Sequence, residues 1–127
     1  MIQAIGKPRT LANGLTIPLT PAIRAGDFVF VSGQLGIDDA GVVVADDVAS
    51  QARKAMERIR DVLAQADVQF SSVVKVSVWL TDKADFAAFN AAYREFFPDR
   101  PPARSTVVSD LLIAGARVEI DAIAYAG

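Results

Sequence analysis

The chain contains no histidine and no cysteine. Without cysteine there is no disulfide, no thiolate nucleophile and no Cys-type zinc site. Without histidine there is no Ser-His-Asp triad and no imidazole general base. A metal would have to be held by carboxylates alone, and no calcium-loop spacing supplies them, so neither metal nor cofactor is expected. No apolar run approaches the roughly 18 residues needed to span a bilayer, so no membrane is expected as a partner. The opening stretch lacks the charged-then-apolar pattern of a signal peptide, and a cytoplasmic location is expected. Charge of one sign is also scarce. Thirteen basic and 15 acidic residues interleave to a net charge of −2, leaving no basic stripe for nucleic acid. Chemistry must use Arg, Lys, Glu, Asp, Tyr, hydroxyls, backbone groups and water.

What is present is a chain of 127 residues, 52% hydrophobic, long enough for one domain over residues 1–127 with a real core. "PAIRAGDFVFVSGQ" reads as a hairpin: a strand over Ala22 to Arg24, the turn Ala25-Gly26-Asp27, and a returning strand over Phe28 to Ser32. The returning strand is apolar on both faces and should be central and covered. It is expected to stop at Gly33, where a missing side chain permits close approach of a backbone or ligand. "IDDAGVVVA" reads as a turn with a short strand. A helix begins at Asp46 or Asp47, capped by a carboxylate. Val48, Ala52, Ala55, Met56, Ile59, Val62, Leu63 and Ala66 share its apolar face at the 3.6-residue period.

The next strand runs from Val73 to Thr81, with Val74, Val76, Val78 and Leu80 on one face and Val73, Lys75, Ser77 and Trp79 on the other. Asp82 can cap a second helix from Lys83 to Phe97, whose aromatic stripe (Phe86, Phe89, Tyr93, Phe96, Phe97) reads as core. Pro98, Pro101 and Pro102 end it. Two strands follow, Ala103 to Val108 and Arg117 to Tyr125. This order gives an α+β layered domain with both helices on one face of a sheet. The second face is read as mixed, carrying Lys75, Ser77 and Trp79, then Arg104, Thr106 and Val108, then Arg117, Glu119 and Asp121. A half-apolar face with no helix to cover it points to another subunit.

Arg104 and Glu119 stand out, each in a strand otherwise rich in small and β-branched residues. One reading is a structural ion pair joining neighbouring strands. The other makes Arg104 an anion clamp and Glu119 a proton handler. A guanidinium offers paired N–H donors that match a carboxylate and keeps its charge. A desolvated carboxyl group can shuttle protons near neutrality.

"PPARSTVV" followed by "ARVEIDAIA" resembles the paired C-terminal signature of the RidA/YjgF/UK114 family of imine and enamine deaminases. "GDFVFVSGQLGID", "ASQARKAMERIRDVLAQA" and "VVKVSVWLTDKADFAAFNAAYREFF" stand in family order with family spacing. The resemblance implies a chorismate-mutase-like fold, a single mixed sheet with two helices on one face, and a homotrimer with clefts between subunits. It implies hydrolysis of 2-enamino and 2-imino acids such as 2-aminoacrylate to 2-oxo acids and ammonia. By position, Arg104 then binds the substrate carboxylate and Glu119 positions or activates water. Gly33 and Thr106 line the cleft, and Asn90 matches a family position, with a helix-surface or capping amide as its alternative. Three residues depart from the pattern: Leu19 stands where such deaminases carry a tyrosine, Thr106 where many have cysteine, and Asp110 where a small or basic residue is usual. Thr16 and Thr20 are poor substitutes for the tyrosine. A pathway-specific relative acting on a larger enamine (aminomuconate-like, or an intermediate of pyrimidine breakdown) and a non-catalytic trimeric binder of small carboxylates are the alternatives. A ribonuclease activity, attached to the family by name, fits poorly with the charge.

Overall fold

A computed structural model of the chain describes residues 1–10 and 13–127. Six strands form one mixed sheet in the order β1-β2-β3-β6-β4-β5. They are β1 (Ile2–Ile5), β2 (Ala22–Ala25), β3 (Phe28–Leu35), β4 (Val73–Leu80), β5 (Ala103–Val108) and β6 (Val118–Tyr125), with helices α1 (Val48–Ala64) and α2 (Phe86–Arg94). Every pairing is antiparallel except β4 with β5. That exception follows from the chain path: α2 and the proline-rich segment return the chain to the start of β4, the crossover that a parallel pair requires. No helix among the described residues is long and apolar enough to cross a membrane.

Helix α1 forms as its periodicity predicts. The Asp47 carboxylate accepts the backbone N–H of Ser50 at 2.8 Å, so Asp47 is the cap. The buried residues of α1 are those of the expected stripe up to Leu63, plus Gln51. Together with Phe89, Ala92 and Tyr93 of α2 they pack on Val29, Val31, Val76, Val78, Val118, Ile120, Ala122 and Ala124 of the sheet. Burying this many aliphatic side chains supplies the main driving force, at about 1.5–3 kcal/mol for each fully buried Val, Leu or Ile.

Several elements differ from the sequence reading. Ile2–Ile5 forms an edge strand that was not anticipated, because four residues with one buried side chain carry little pattern. Strand β3 does not stop at Gly33 but continues to Leu35, with a register shift against β6 between Val31 and Gln34. Gly33 sits in that bulge, which turns both Val31 and Gln34 inward. A second shift, between Val73 and Lys75, buries Val73 and exposes Val74, the reverse of the expected alternation. The second helix is shorter than expected. Lys83–Asp85 is a 3-10 turn, capped by Asp82, and regular α-helix ends at Arg94, four residues before Pro98. Of the aromatic stripe, Phe86 is not core: it is 47% exposed. "IDDAGVVVA" closes through an isolated bridge between Ile37 and Val43.

The largest correction concerns faces. Val76 lies opposite Arg104 and Val78 opposite Thr106 in the parallel register. Arg104, Thr106 and Val108 therefore stand on the helix side of the sheet and not on the second face. Lys75, Ser77, Trp79, Glu119 and Asp121 do occupy the second face, where Ser105 joins them through a 2.9 Å hydrogen bond from Lys75 Nζ. Phe28, Phe30, Val107 and Tyr125 lie there too and are exposed in the single chain.

Candidate functional site

Arg104 is the second residue of β5, at the open edge of the sheet and separated from Pro102 only by Ala103, and its side chain lies against rings of α2. It lines a cavity of about 550 Å³ with Asn90, Tyr93, Phe97, Pro101 and Pro102. Its guanidinium carbon lies 4.9 Å from the centre of the Tyr93 ring and 5.4 Å from that of Phe89. Among the described residues no carboxylate comes within salt-bridge distance of it, as is also true of Arg9, Arg24, Arg94 and Arg100, whereas Arg53, Arg58, Arg60 and Arg117 each have one. Three buried side-chain oxygens of the described residues lack any hydrogen-bond partner, and they are Asn90 Oδ1, Tyr93 Oη and Thr106 Oγ1. Asn90 and Tyr93 share the cavity with Arg104, and Thr106 is the next residue on the same face of β5. Asn90 is half-buried, with its Oδ1 enclosed, and its side chain caps no helix end. Unsatisfied buried polar atoms cost about 1–3 kcal/mol each, and two of the three, on Asn90 and Tyr93, belong to side chains that line the Arg104 cavity. Burial pushes the Tyr93 phenol up to about 12, with Arg104 acting in the opposite direction, so it stays a neutral hydrogen-bond donor.

Glu119 lies on the other face of the sheet. It projects from β6 on the second face, opposite Trp79 and Leu35. Burial, and after it the neighbouring Asp121, raises its carboxyl above the ordinary value. Asp121 is itself raised by burial, while Ser77, which donates its N–H at 3.2 Å, and Lys75 draw it back down. The Glu119 carboxylate lies over the backbone of Gly33. A Cβ on Gly33 would come within 3.0 Å of Glu119 Cδ and closer still to one oxygen. The absent side chain at position 33 therefore accommodates a carboxylate of the same chain.

Arg104 and Glu119 consequently lie on opposite faces of the sheet, and the ion pair between neighbouring strands does not form. The structure brings Asn90, Thr106 and Arg104 together on one side and Gly33 with Glu119 on the other. Leu19, 45% exposed, shares a separate cavity of about 470 Å³ with Gly33. Thr16 is engaged with Thr10 at 3.0 Å, and the Thr20 carbonyl accepts Ser32 Oγ at 2.6 Å. Asp110 is exposed in the loop after β5. Tyr93, which the sequence reads only as core, also lines the Arg104 cavity. Its spacing in "FNAAY" places it one turn from Asn90 on the same helix face, but a buried aromatic reads as core until its hydroxyl is seen without a partner.

Residues 13–126 match the family model described as Endoribonuclease L-PSP. Protein DfrA of Myxococcus xanthus is 44% identical over 110 residues, 84% of each chain. A protein of Capra hircus named 2-iminobutanoate/2-iminopropanoate deaminase is 39% identical over 111 residues, covering 87% of this chain and 81% of that one. The crystal structure of the YjgF gene product from E. coli superposes with a TM-score of 0.84 at 31% identity, over 97% of this chain and 98% of that one. The fold, the order of the motifs and these matches agree, and the chain belongs to the RidA/YjgF family.

Proposed function

We propose that the protein hydrolyses 2-imino and 2-enamino acids to 2-oxo acids and ammonia in clefts completed by a second copy of the chain. The observation that carries this reading is the unpaired Arg104 guanidinium in a cavity with the unsatisfied Asn90 and Tyr93 oxygens. An α-carboxylate supplies the anion for Arg104 and an acceptor for the Tyr93 hydroxyl, and the N–H of the imine or enamine can donate to the Asn90 amide oxygen. The deaminase name carried by the Capra hircus relative supports the same reaction type.

The enamine first takes a proton on carbon to give the iminium form. Water then attacks the iminium carbon, forming a C–O bond as the C=N π pair moves to nitrogen. The proton lost by that water passes to Glu119 and from there to the nitrogen. The C–N bond then breaks with its electron pair leaving on ammonia, the carbinol O–H gives its proton to Glu119 as the carbonyl forms, and that proton passes to the ammonia, which departs as ammonium. Arg104 holds the carboxylate throughout, and fixed orientation of water and substrate lowers the barrier without a covalent intermediate. A desolvated Glu119 is suited to receiving and returning a proton.

Because Arg104 and Glu119 face away from each other in one chain, the cleft requires the Arg104 side of one copy against the Gly33–Glu119 side of another. The exposed Phe28, Phe30, Val107 and Tyr125 give the second face an apolar surface for that contact, in a closed ring such as a trimer. The cavity beside Leu19 favours, as a second reading, an enamine larger than 2-aminoacrylate. Release of 2-oxo acid from imines generated in situ tests both readings. Acceleration by the wild type but not by Arg104→Ala is expected, and a rate equal to spontaneous hydrolysis with every imine, small or bulky, overturns the assignment.

A further inference from the structure

We propose that Phe86, Phe89 and Tyr93 of α2 are positioning residues, a three-ring seat that holds the Arg104 guanidinium by its flat face and leaves its N–H edges for the ligand. This rests on the reading of Arg104 as the carboxylate clamp. The guanidinium carbon lies 4.9 Å from the Tyr93 centroid, 5.4 Å from Phe89 and 5.8 Å from Phe86. All three distances fall within the range of a favourable cation–π contact, about 6 Å.

The chemistry of the seat differs from that of an ion pair in the respect that matters for binding. A protein carboxylate beside Arg104 would fill the fork of N–H donors, and an incoming carboxylate would have to displace it. An aromatic face stabilises the positive charge through its quadrupole and accepts none of the in-plane N–H bonds. Arg104 is accordingly held with its directional donors vacant. The seat is also stiff. Phe89 and Tyr93 stand one helical turn apart with centroids at 5.4 Å, and they are buried to 0% and 5% exposure. Phe97 backs Tyr93 at 5.0 Å. Phe86 stands a turn earlier, half exposed, and closes the outer side. A long side chain at the edge of a sheet would otherwise lose rotamer freedom on binding, and the seat removes that loss beforehand.

Phe86 is the ring to test, because its exposure allows replacement without a core cavity. Phe86→Leu is expected to weaken binding of 2-oxobutanoate, measured by calorimetry, about two- to fivefold, the worth of one partly exposed ring. KM for the imine should rise by the same factor with kcat unchanged, and Phe86→Trp should restore both. In the free protein, proton NMR should show the Arg104 side-chain protons displaced upfield by ring currents, with partial return in Phe86→Leu. If those protons are undisplaced and Phe86→Leu binds as the wild type does, while Arg104→Ala loses binding, the seat is wrong and the clamp stands. If Arg104→Ala binds 2-oxobutanoate as tightly as the wild type, or the wild type binds none, the clamp fails and the seat with it.

Discussion

Two arginines stand at the starts of the last two strands, each against α2 or the turn that leads into it, and the chain treats them in opposite ways. Arg117, just before β6, is held by a fork of hydrogen bonds to Asp85, 3.0 Å from Nε and 3.1 Å from Nη2. Its backbone N–H is taken by Gln51 Oε1 at 2.8 Å, and Gln51 Nε2 donates to the Ala45 and Gly115 carbonyls at 2.8 and 3.0 Å. Every polar atom of that buried amide is used. Arg104 and Asn90 repeat the pairing of a guanidinium with a side-chain amide but with no such closure: the guanidinium rests on rings and the amide oxygen has no partner. The first region is closed on itself, and the second is the one that the proposed function reads as a receptor. Buried polar groups are made for structure where they satisfy one another, and for a ligand where they do not.

Breaking the two regions should therefore give opposite signatures. The largest effect belongs to Arg104→Ala, which should reduce deamination by at least about a hundredfold, as expected for loss of a charge-assisted clamp in a desolvated cleft, while the melting temperature barely moves. Gln51→Leu should do the reverse. It leaves two carbonyls and one N–H unpaired in the core and should cost about 2–4 kcal/mol in denaturant unfolding, with carboxylate binding by the folded protein unchanged. Asp85→Ala sharpens the contrast between the arginines. Arg117 is partly exposed, so loss of its partner should cost only about 1 kcal/mol or less.

The smallest effect concerns pH. The Glu119 carboxyl is raised from 4.5 by burial and then by Asp121, so the folded chain holds that proton more tightly than the unfolded one. Stability from this group is present at acid pH and is lost as pH rises from 4.5 through the raised folded value. Glu119→Gln should consequently melt slightly higher than the wild type near neutrality, and the difference should shrink as pH falls below about 4.

The sequence made α1 legible because eight apolar positions and a capping carboxylate agree on one helix. Arg104 and Glu119 could be chosen from the sequence for their residue types, set among small and β-branched neighbours, and Asn90, Gly33 and Thr106 came with the family motifs. Their mutual arrangement could not be read. Strand β5 has no contrast between its faces, with Arg, Thr and Val on one and Ala, Ser and Val on the other, so alternation alone does not say which face meets the helices. The parallel register with β4 decides it, and that register comes from a crossover through α2. The bulge at Gly33 was hidden for a similar reason: one extra residue leaves no mark in a strand apolar on both faces. The unpartnered Asn90 amide oxygen and Tyr93 hydroxyl are properties of packing, visible only after the helix and strand are set together.

The claim that the site joins the Arg104 side of one copy to the Glu119 side of another is tested most directly by mixing two inactive variants. Arg104→Ala and Glu119→Gln chains, unfolded together and refolded in equal amounts, should regain about one quarter of wild-type activity, because one cleft in four receives both intact halves. A mixture no more active than its two components would contradict the shared cleft.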